Sequence, residues 1–194
     1  MRNPYMIGKR VYLRGLEKKD ITDGMANWAN DSEITHYMVM GAVPNGGVLY
    51  CSWDNLGVEY ERMVNSKHDV IFAIIDKKTD HLIGIAGLYE IFWIGRNAEF
   101  RIVIGEKKFL GKGYGAETIK LVLKYGFEKL NLHKIRLGVN ASDERANQCY
   151  KKVGFVYEGT MRDYHFRNGR YYNANLYSIL EDEFYSKLKK RDKI

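Results

Sequence analysis

The chain has only two cysteines and two prolines among its 194 residues, and it has no long uninterrupted run of apolar residues. Cys51 and Cys149 are far apart and belong to no Cys-x-x-Cys or Cys/His pattern, so we expect two reduced thiols rather than a disulfide framework or a zinc site. The five histidines are scattered and form no His-Glu-x-x-His pattern, so we expect no metal centre. No apolar run approaches the ~18 residues that a membrane span needs, and we therefore expect no membrane partner.

The N-terminal segment carries no sign of an export signal. Residues 1–14 are basic and aromatic but lack the apolar core of a signal peptide, so we expect a cytoplasmic location. With 45% hydrophobic and 28% charged residues, the composition excludes a disordered or low-complexity chain. A length of 194 residues is about one domain's worth, and we expect a single domain over residues 1–194.

The net charge of +7 is concentrated in two segments. Residues 185–194 hold five basic side chains against one acidic one, which suits a solvated helix end. Residues 105–136 hold eight against three, and the rest of the chain sums to −2. Because the internal excess surrounds a glycine-rich loop, it indicates a compact polyanionic ligand rather than a long phosphate backbone, and we expect no nucleic-acid partner.

The hydrophobic pattern predicts an α+β fold. Alternating residues with short connections predict an antiparallel meander, and the strands expected overall are 9–16, 70–75, 82–91, 98–104 and 134–139. A closing hairpin is predicted from 155–162 and 171–179, turned by 167–169. Helices are predicted over 20–30, up to about residue 67 after a long irregular loop at 38–55, over 114–130, from an Asp143 cap to residue 153, and from about 181.

A glycine-rich segment follows one predicted strand directly and opens the next predicted helix. Three glycines in five residues let backbone amides point inward together, and the helix N-terminus adds partial positive charge. This arrangement predicts a cradle for phosphate oxygens. The residues assigned to it are Leu110, Gly111, Lys112, Gly113, Tyr114, Gly115 and Ala116.

Two other phosphate-binding motifs fit this loop less well. A P-loop is excluded, because Gly105 precedes Gly111 by five intervening residues rather than four and no Ser or Thr follows Lys112. The letters fit a dinucleotide-binding fingerprint, but an antiparallel meander precedes the loop and Asn140, not an acid, ends the next strand. An NAD-linked enzyme therefore stays a lesser alternative, as does a tight turn that binds nothing.

Three segments in a fixed order resemble the GNAT family of acyl-CoA-dependent N-acetyltransferases: AEFRIVI, LGKGYGAETIKLVLKYGFEKLNLHKIRLGVN and DERANQCYKKVGFVYEG. The resemblance covers 98–180 well and is closest to the branch of bacterial spermidine acetyltransferases and ribosomal-protein N-terminal acetyltransferases. In the family's pyrophosphate motif, Q/R-x-x-G-x-G/A, Gly113 and Gly115 match, and Leu110 replaces the Gln or Arg. The resemblance implies a single-domain GNAT fold, with a mixed, mostly antiparallel twisted sheet, flanking helices and a splayed strand pair that binds acyl-CoA.

The resemblance also implies how acetyl-CoA, the expected acyl donor, is held. Its pyrophosphate lies on the glycine loop, and its pantetheine arm adds beside the strand that contains Ile102, Val103 and Ile104, where that strand separates from 134–139. Residues 143–152 line the other side. The further residues implied to bind the cofactor are Asn140, Asp143, Ala146, Tyr150 and Lys152.

Two residues are implied to be catalytic. Tyr150 occupies the position of the family's tyrosine, whose phenol protonates or hydrogen-bonds the coenzyme A sulfur. Glu99 lies eleven positions before Leu110, where several family members carry a general base, and an apolar wedge beside it would raise its pKa. Glu99 also has a structural interpretation, as an ion-pair partner of Arg101 or Arg96.

The acceptor amine is the least determined part of the site. The family binds it between the N-terminal helices, the long loop and the late hairpin, here Trp28, Tyr37, Trp53, Tyr89, Trp93, Arg162, Tyr164 and His165. Four acids could attract a polyamine: Asp20, Asp23, Asp31 and Glu33. The function expected is acetyl transfer to a primary amine of a small molecule, a polyamine or an amino sugar, in a ternary complex. A protein N-terminal α-amine and a non-catalytic acyl-CoA sensor remain alternatives, and the family suggests a homodimer.

Overall fold

The structure is a computed structural model that describes residues 1–37 and 52–191. Its strands are β1 (Met6–Ile7), β2 (Val11–Gly15), β3 (Val70–Asp76), β4 (His81–Phe92), β5 (Asn97–Ile104), β6 (Lys134–Asn140), β7 (Val156–Arg167) and β8 (Arg170–Leu180). They form one eight-stranded sheet in the order β1-β2-β3-β4-β5-β6-β8-β7. Every neighbouring pair is antiparallel except β5 and β6, which are parallel, so the predicted mixed, mostly antiparallel sheet is confirmed.

The helices are α1 (Ala26–Asn30), α2 (Ser32–Thr35), α3 (Trp53–Val64), α4 (Tyr114–Glu128), α5 (Glu144–Val153) and α6 (Glu181–Arg191). A π-helical turn (Ile21–Met25) leads directly into α1, and a 3-10 turn (Lys107–Phe109) follows β5. None of the helices in the described ranges is long and apolar enough to cross a bilayer. Most of the predicted long loop, residues 38–51 with Cys51, lies outside the described part.

Local signals in the sequence explain several element ends. The Asp143 side chain accepts a hydrogen bond from the Ala146 amide at 2.9 Å, which confirms the predicted cap of α5. Asn168 and Gly169 both have positive φ, 50° and 79°, as a two-residue hairpin turn requires. The strand β7 runs five residues past its predicted end because pairing with β8 resumes at His165 after an irregular stretch.

Helices cover both faces of the sheet. On one face, α4 buries Ile119, Val122 and Leu123, each at most 1% exposed. On the other, Trp28 of α1 and Met63 of α3 pack with residues of the first strands. Burying each side chain of this size stabilises the fold by about 1.5–3 kcal/mol, so the two layers hold the sheet as a rigid frame for the site.

The parallel strands β5 and β6 separate along their length. They pair at three consecutive positions, Asn97 with Lys134, Ala98 with Ile135 and Glu99 with Arg136, and no further register is formed toward their carboxyl ends. Antiparallel neighbours β4 and β8 keep pairing with the outer edges of both strands. The result is a V-shaped opening within the sheet, which confirms the predicted splayed pair.

Candidate active site

A cavity of about 550 Å³ opens where β5 and β6 separate. Its walls are the far ends of these two strands, the N-terminus of α4, one side of α5 and, at one edge, α2. The residues that the sequence assigned to acyl-CoA and that line it are Ile102, Val103, Ile104, Leu110, Gly111, Gly113, Gly115, Ala116, Asp143, Ala146, Tyr150 and Lys152. Glu99 and Tyr37 line it as well. Residues assigned from the sequence to β5, to the glycine loop with the start of α4, and to α5 therefore lie around one cavity.

The N-terminus of α4 faces this cavity without a cap. Gly113, the N-cap residue, has a φ of +85°, Gly111 has a φ of +72°, and no side chain caps the helix. The amides of residues 114–116 have no intrahelical acceptor, because they belong to the first turn. Amides and helix dipole together create partial positive charge, which favours an anion at this wall of the cavity.

The one acidic side chain of the first turn of α4 points elsewhere. Glu117 Oε1 accepts hydrogen bonds from the backbone amides of Arg10, at 2.8 Å, and Val11, at 3.4 Å. This carboxylate therefore ties α4 to β2 and does not compete for the free amides. From the opposite wall, Arg145 and Lys152 of α5 add positive charge to the cavity.

Three residues assigned to cofactor binding do not line the cavity. The Tyr114 hydroxyl donates to Asp76 at 3.2 Å on the side of β3, and the Lys112 carbonyl oxygen accepts a hydrogen bond from Arg10. Asn140 is 1% exposed, and its Oδ1 accepts from the amide and hydroxyl of Ser142. Asn140 therefore stabilises the turn after β6. Its position at the end of the strand had suggested cofactor binding and could not show this structural role.

Tyr150 lies on α5, and its ring packs against that of Phe155 in a T-shaped arrangement with a centroid separation of 5.7 Å. Burial raises the pKa of its phenol above the ordinary value, with smaller contributions from Cys149 and Asp143. The phenol oxygen makes no hydrogen bond to the residues that the structure describes. Tyr150 therefore lines the cavity and keeps its phenol protonated at neutral pH.

A buried amide holds the helix that carries Tyr150. Asn147 Nδ2 donates to the backbone oxygens of Asn140, at 3.0 Å, and Asp143, at 2.7 Å. Its Oδ1 accepts from Asn175 Nδ2 and from the Tyr177 hydroxyl, both at 2.9 Å. All four hydrogen-bonding capacities of the amide are used, so α5 is fixed to β6 and β8 one turn before Tyr150.

Glu99 sits among arginines and not beside a purely apolar wall. Its two oxygens accept from Arg101 Nε at 2.7 Å and Arg136 Nη1 at 2.6 Å. The same two guanidinium groups also donate to Glu90, at 2.8 Å and 3.0 Å. The predicted pairing with Arg101 is present, whereas Arg96 instead contacts Asn131 and Glu181.

Most residues expected to bind the acceptor lie away from the cavity. Trp28 is 5% exposed, packs against Gly105 and donates from Nε1 to Glu106 at 3.3 Å, so it belongs to the core. Tyr89 is also buried, with the Arg101 guanidinium 4.8 Å from its ring centroid. The remaining ones outside the lining are Trp93, Arg162 and Tyr164, and the Trp53 side chain lies outside the described residues. Aromatic character could not distinguish these positions from core.

The acids expected to attract a polyamine differ in their availability. Asp20 is fully buried in a two-point ion pair with Arg14, at 2.7 and 2.8 Å, so it serves the fold. Asp31 caps α2 and pairs with Lys107 at 2.8 Å. Glu33 also pairs with Lys107 but is largely exposed and lines the cavity. The Asp23 side chain is outside the described part.

Several lining residues were not named individually from the sequence: Ile34, Phe100, Arg101, Phe109, Ile119, Gly138, Val139, Arg145, Gln148 and Cys149. The last three lie within the range 143–152 that was expected to line this side of the cavity. The apolar ones belong to predicted strands and helices, and nothing in their spacing separates cavity wall from core. Arg145 and Gln148 could have been found, because they share a face of α5 with the assigned residues. In the described ranges, no three His, Cys, Asp or Glu side chains come together in a way that could hold a metal ion.

Comparison with known proteins agrees with this geometry. A family model described as an acetyltransferase (GNAT) domain matches residues 10–156. The spermidine N(1)-acetyltransferase of Vibrio cholerae serotype O1 is 33% identical over 178 residues, 92% of this chain and 97% of the relative. That of Escherichia coli K12 is 38% identical over 174 residues, 90% and 88% of the two chains. The crystal structure of the Vibrio cholerae enzyme in complex with CoA and spermine has a TM-score of 0.82 at 32% identity and covers 92% of this chain and 99% of that chain.

Proposed function

The chain belongs to the GNAT acetyltransferase family, and from this we propose that it moves the acetyl group of acetyl-CoA onto a primary amine of a polyamine. The observation that supports this most strongly is the uncapped N-terminus of α4, which faces the same cavity that the partly buried Tyr150 lines. An anion site and a proton donor are the two features that transfer from an acyl-CoA needs.

The residues around the cavity fit the acyl donor. Acetyl-CoA supplies an activated thioester, and its phosphates require several hydrogen-bond donors and positive charge. The free amides of residues 114–116 supply the donors, and Arg145 and Lys152 supply charge. Ile102 and Val139 line the facing edges of the wedge, where the parallel strands leave backbone groups without a partner strand.

Tyr150 acts as the general acid in this proposal. Because burial raises its pKa, the phenol keeps its proton throughout the neutral range and can donate it to the departing sulfur. Its position is fixed by Asn147 on the preceding turn of α5, so the donor does not have to be ordered during the reaction.

Glu99 is the carboxylate in the described lining that lies nearest the closed end of the wedge, and we assign it the acceptor side of the reaction. Its oxygens hold Arg101 and Arg136, so proton uptake by Glu99 would break one of two short ion pairs. If an ordered water held by Glu99 passes the proton of the amine to bulk solvent instead, both ion pairs stay intact. The role of Glu99 as the base thus stays a prediction.

A polyamine is supported by the named activity of two relatives and by the spermine in a related structure. In the described cavity lining, Glu33 is the exposed carboxylate on the acceptor side, and Tyr37 follows it four residues later in the sequence. A cationic acceptor would compete with Lys107 for Glu33. The Glu33 carboxylate would then recognise one positive charge of the acceptor, although the cavity lining is not strongly acidic.

The test is an amine panel with mass detection of the acetylated product. Spermidine and spermine are expected to be acetylated at least ~10-fold faster than glucosamine or a peptide α-amine. Tyr150→Phe is expected to lower kcat by about 10²–10⁴-fold. Fast acetylation of the peptide alone would contradict the polyamine assignment, and unchanged turnover by Tyr150→Phe would contradict the role of the phenol.

A cytoplasmic location and a homodimer stay predictions. Self-association is supported by the edge strand β7, which exposes Val156, Tyr157, Met161 and Phe166, each more than 40% exposed. Light scattering coupled to size exclusion measures the oligomeric state directly. A monomer at micromolar concentration would contradict this expectation and leave the acetyl-transfer proposal intact.

A further inference from the structure

The hairpin of β7 and β8 contains a buried cationic pair that the acetyl-transfer site does not use. His165 and Arg167 are 8% and 9% exposed. They stand two residues apart on β7, so both side chains leave the same face of the strand. Neither lines the acyl-CoA cavity, although Asn140, which contacts His165, ends the strand that does.

Unsatisfied nitrogen atoms are concentrated at this pair. Among the described residues, four buried side-chain polar atoms have no hydrogen-bond partner, and three of them are His165 Nδ1, Arg167 Nε and Arg167 Nη1. Native structures rarely leave such groups unpaired, because each costs the free energy of removing it from water. Their clustering at one place indicates that something outside the described residues completes the site.

The hydrogen bonds of Asn140 fix which atom of His165 carries the proton. Asn140 Oδ1 accepts from Ser142, so its Nδ2 is the atom that faces His165 Nε2, at 3.2 Å. An amide nitrogen donates, so Nε2 accepts, and the neutral ring carries its hydrogen on Nδ1. All three unsatisfied atoms are therefore N–H donors, and they require an acceptor.

The pair also lacks a counter-charge. Burial lowers the pKa of Arg167, and burial together with the charge of Arg167 lowers the pKa of His165. Asp163, the acidic residue nearest in sequence, is exposed and makes no ion pair with Arg167 in the described structure. Residues 38–51, which lie outside the described part, contain no Asp or Glu, so that segment supplies no carboxylate.

We propose that Arg167 and His165 form a binding site for a small oxyanion, a carboxylate or a phosphate, separate from the acyl-CoA cavity. An oxyanion supplies both the acceptor lone pairs and the negative charge that the pair lacks, and Arg167 recognises either chemistry through its planar donors. The His165 ring, stacked on Tyr172 at 5.3 Å, is held in a fixed orientation for this contact.

The site adjoins the support of the catalytic helix. Asn140 contacts His165 through its side chain and accepts from Asn147 Nδ2 through its backbone oxygen. His165 therefore lies two hydrogen bonds from the amide that fixes α5, and an anion bound at its Nδ1 lies three. This links the site to Tyr150 without placing the anion among the reacting groups.

The experiment titrates the full chain with inorganic phosphate and, separately, with acetate, in a zwitterionic buffer without other oxyanions. We expect a saturable one-site response in the ¹H–¹⁵N signals of the His165 ring and a rise of the melting temperature. The anion that saturates the site at the lower concentration shows whether the natural ligand carries a phosphate or a carboxylate group. No saturable response to either anion would overturn the proposal.

Variants separate the site from general charge effects. Arg167→Gln is expected to weaken anion binding at least ~10-fold, while Arg162→Gln, the matched loss of an exposed arginine from the same hairpin, keeps it. Without anion, Arg167→Gln should melt no lower than the parent, because it removes an uncompensated buried charge. His165→Gln serves as the second variant if Arg167→Gln fails to fold, and it is also expected to weaken binding.

Two further outcomes would contradict the proposal. If Arg162→Gln weakens binding as much as Arg167→Gln, the anion responds only to the net charge of the hairpin. If Arg167→Gln dissociates an oligomer in light scattering and anions leave the parent unchanged, the pair contacts another protein chain instead. Neither readout depends on acetyl transfer, so the result is independent of the proposed function.

Discussion

Asn147 Nδ2 lies 3.0 Å from the backbone oxygen of Asn140, and this hydrogen bond joins the helix that carries Tyr150 to the end of β6. The strand β6 forms one wall of the wedge, and α5 forms another. The distance between the wedge and the phenol is therefore set by one buried amide whose donors and acceptor are all in use.

Asn147→Ala is expected to lower both stability and kcat. It leaves the buried Tyr177 hydroxyl without its acceptor, while the backbone oxygens of Asn140 and Asp143 keep their backbone donors, and the loss costs about 1–3 kcal/mol in the free energy of unfolding. A displaced Tyr150 should lower kcat about 10-fold or more with little change in the KM for acetyl-CoA. Denaturant unfolding and steady-state kinetics measure the two effects.

The matched control for this position is Asn175→Ala. It removes one of the two donors to Asn147 Oδ1 but keeps the link between α5 and β6. Its kcat should stay within about two-fold of the parent. Equal losses of kcat in the two variants would show that Asn147 acts through general stability and not through the position of Tyr150.

Gly113→Ala is expected to raise the KM for acetyl-CoA. Its φ of +85° disfavours any side chain by about 1–2 kcal/mol, and a Cβ there would approach Arg10 Nη1 to 3.0 Å. The amides that follow would shift from the cavity. Gly111 also has a positive φ, +72°, but a Cβ there would meet no atom within 4 Å. Gly111→Ala therefore measures the effect of backbone strain alone, without a steric clash.

Calorimetric titration with CoA distinguishes these two variants. We expect Gly113→Ala to bind CoA at least ~10-fold more weakly than the parent and Gly111→Ala to fall between them. Equal CoA affinity of Gly113→Ala and the parent would show that the glycine loop does not bind the phosphates.

Glu99→Gln tests the base against a structural role. Glu90 shares both arginine partners with Glu99 but does not line the cavity, so Glu90→Gln is the matched control. If Glu99 is the general base, Glu99→Gln lowers kcat at pH 7 by about 10²-fold or more, whereas Glu90→Gln does not. Similar small effects in both variants would assign Glu99 to holding the arginines.

The raised pKa of Tyr150 predicts the alkaline behaviour of the protein. Because the folded pKa lies above the unfolded value of about 10, the neutral phenol stabilises the fold fully below pH 10, and this contribution is lost as the pH rises through the folded pKa. The free energy of unfolding should thus fall above pH 10, less steeply in Tyr150→Phe. Urea unfolding at pH 9, 10 and 11 measures both slopes.

Burial also raises the pKa of Tyr89, so part of the alkaline loss remains in that variant. The parent's kcat should show no loss from ionisation of Tyr150 up to about pH 10. Identical slopes for the parent and Tyr150→Phe would mean that the phenol is not shielded from water.

Local signals in the sequence predicted much of the frame. The cap at Asp143, the positive-φ turn at Asn168–Gly169 and the glycine loop are each set by residues a few positions apart, so short-range patterns contain them. The separation of β5 and β6 was predicted only from the resemblance to the GNAT family, because no local sequence pattern shows where two parallel strands stop pairing.

Long-range partners explain what the sequence could not predict. Glu99 meets Arg136 across 37 positions, and Asn147 meets Tyr177 across 30, so neither contact has a local signature. Trp28 and Tyr89 were expected at the acceptor because they are aromatic, but packing against Gly105 and Arg101 places them in the interior. Residue type alone does not show which side of an element meets the cavity.

The central claim is that the amides at the start of α4 bind the diphosphate of acetyl-CoA and that Tyr150 faces its sulfur. A crystal structure of the protein with acetyl-CoA measures this directly. We predict diphosphate oxygens within about 3.2 Å of amide nitrogens between residues 111 and 116, and the Tyr150 hydroxyl within hydrogen-bonding reach of the sulfur. A diphosphate bound elsewhere, or a phenol turned away from the thioester, would contradict the account.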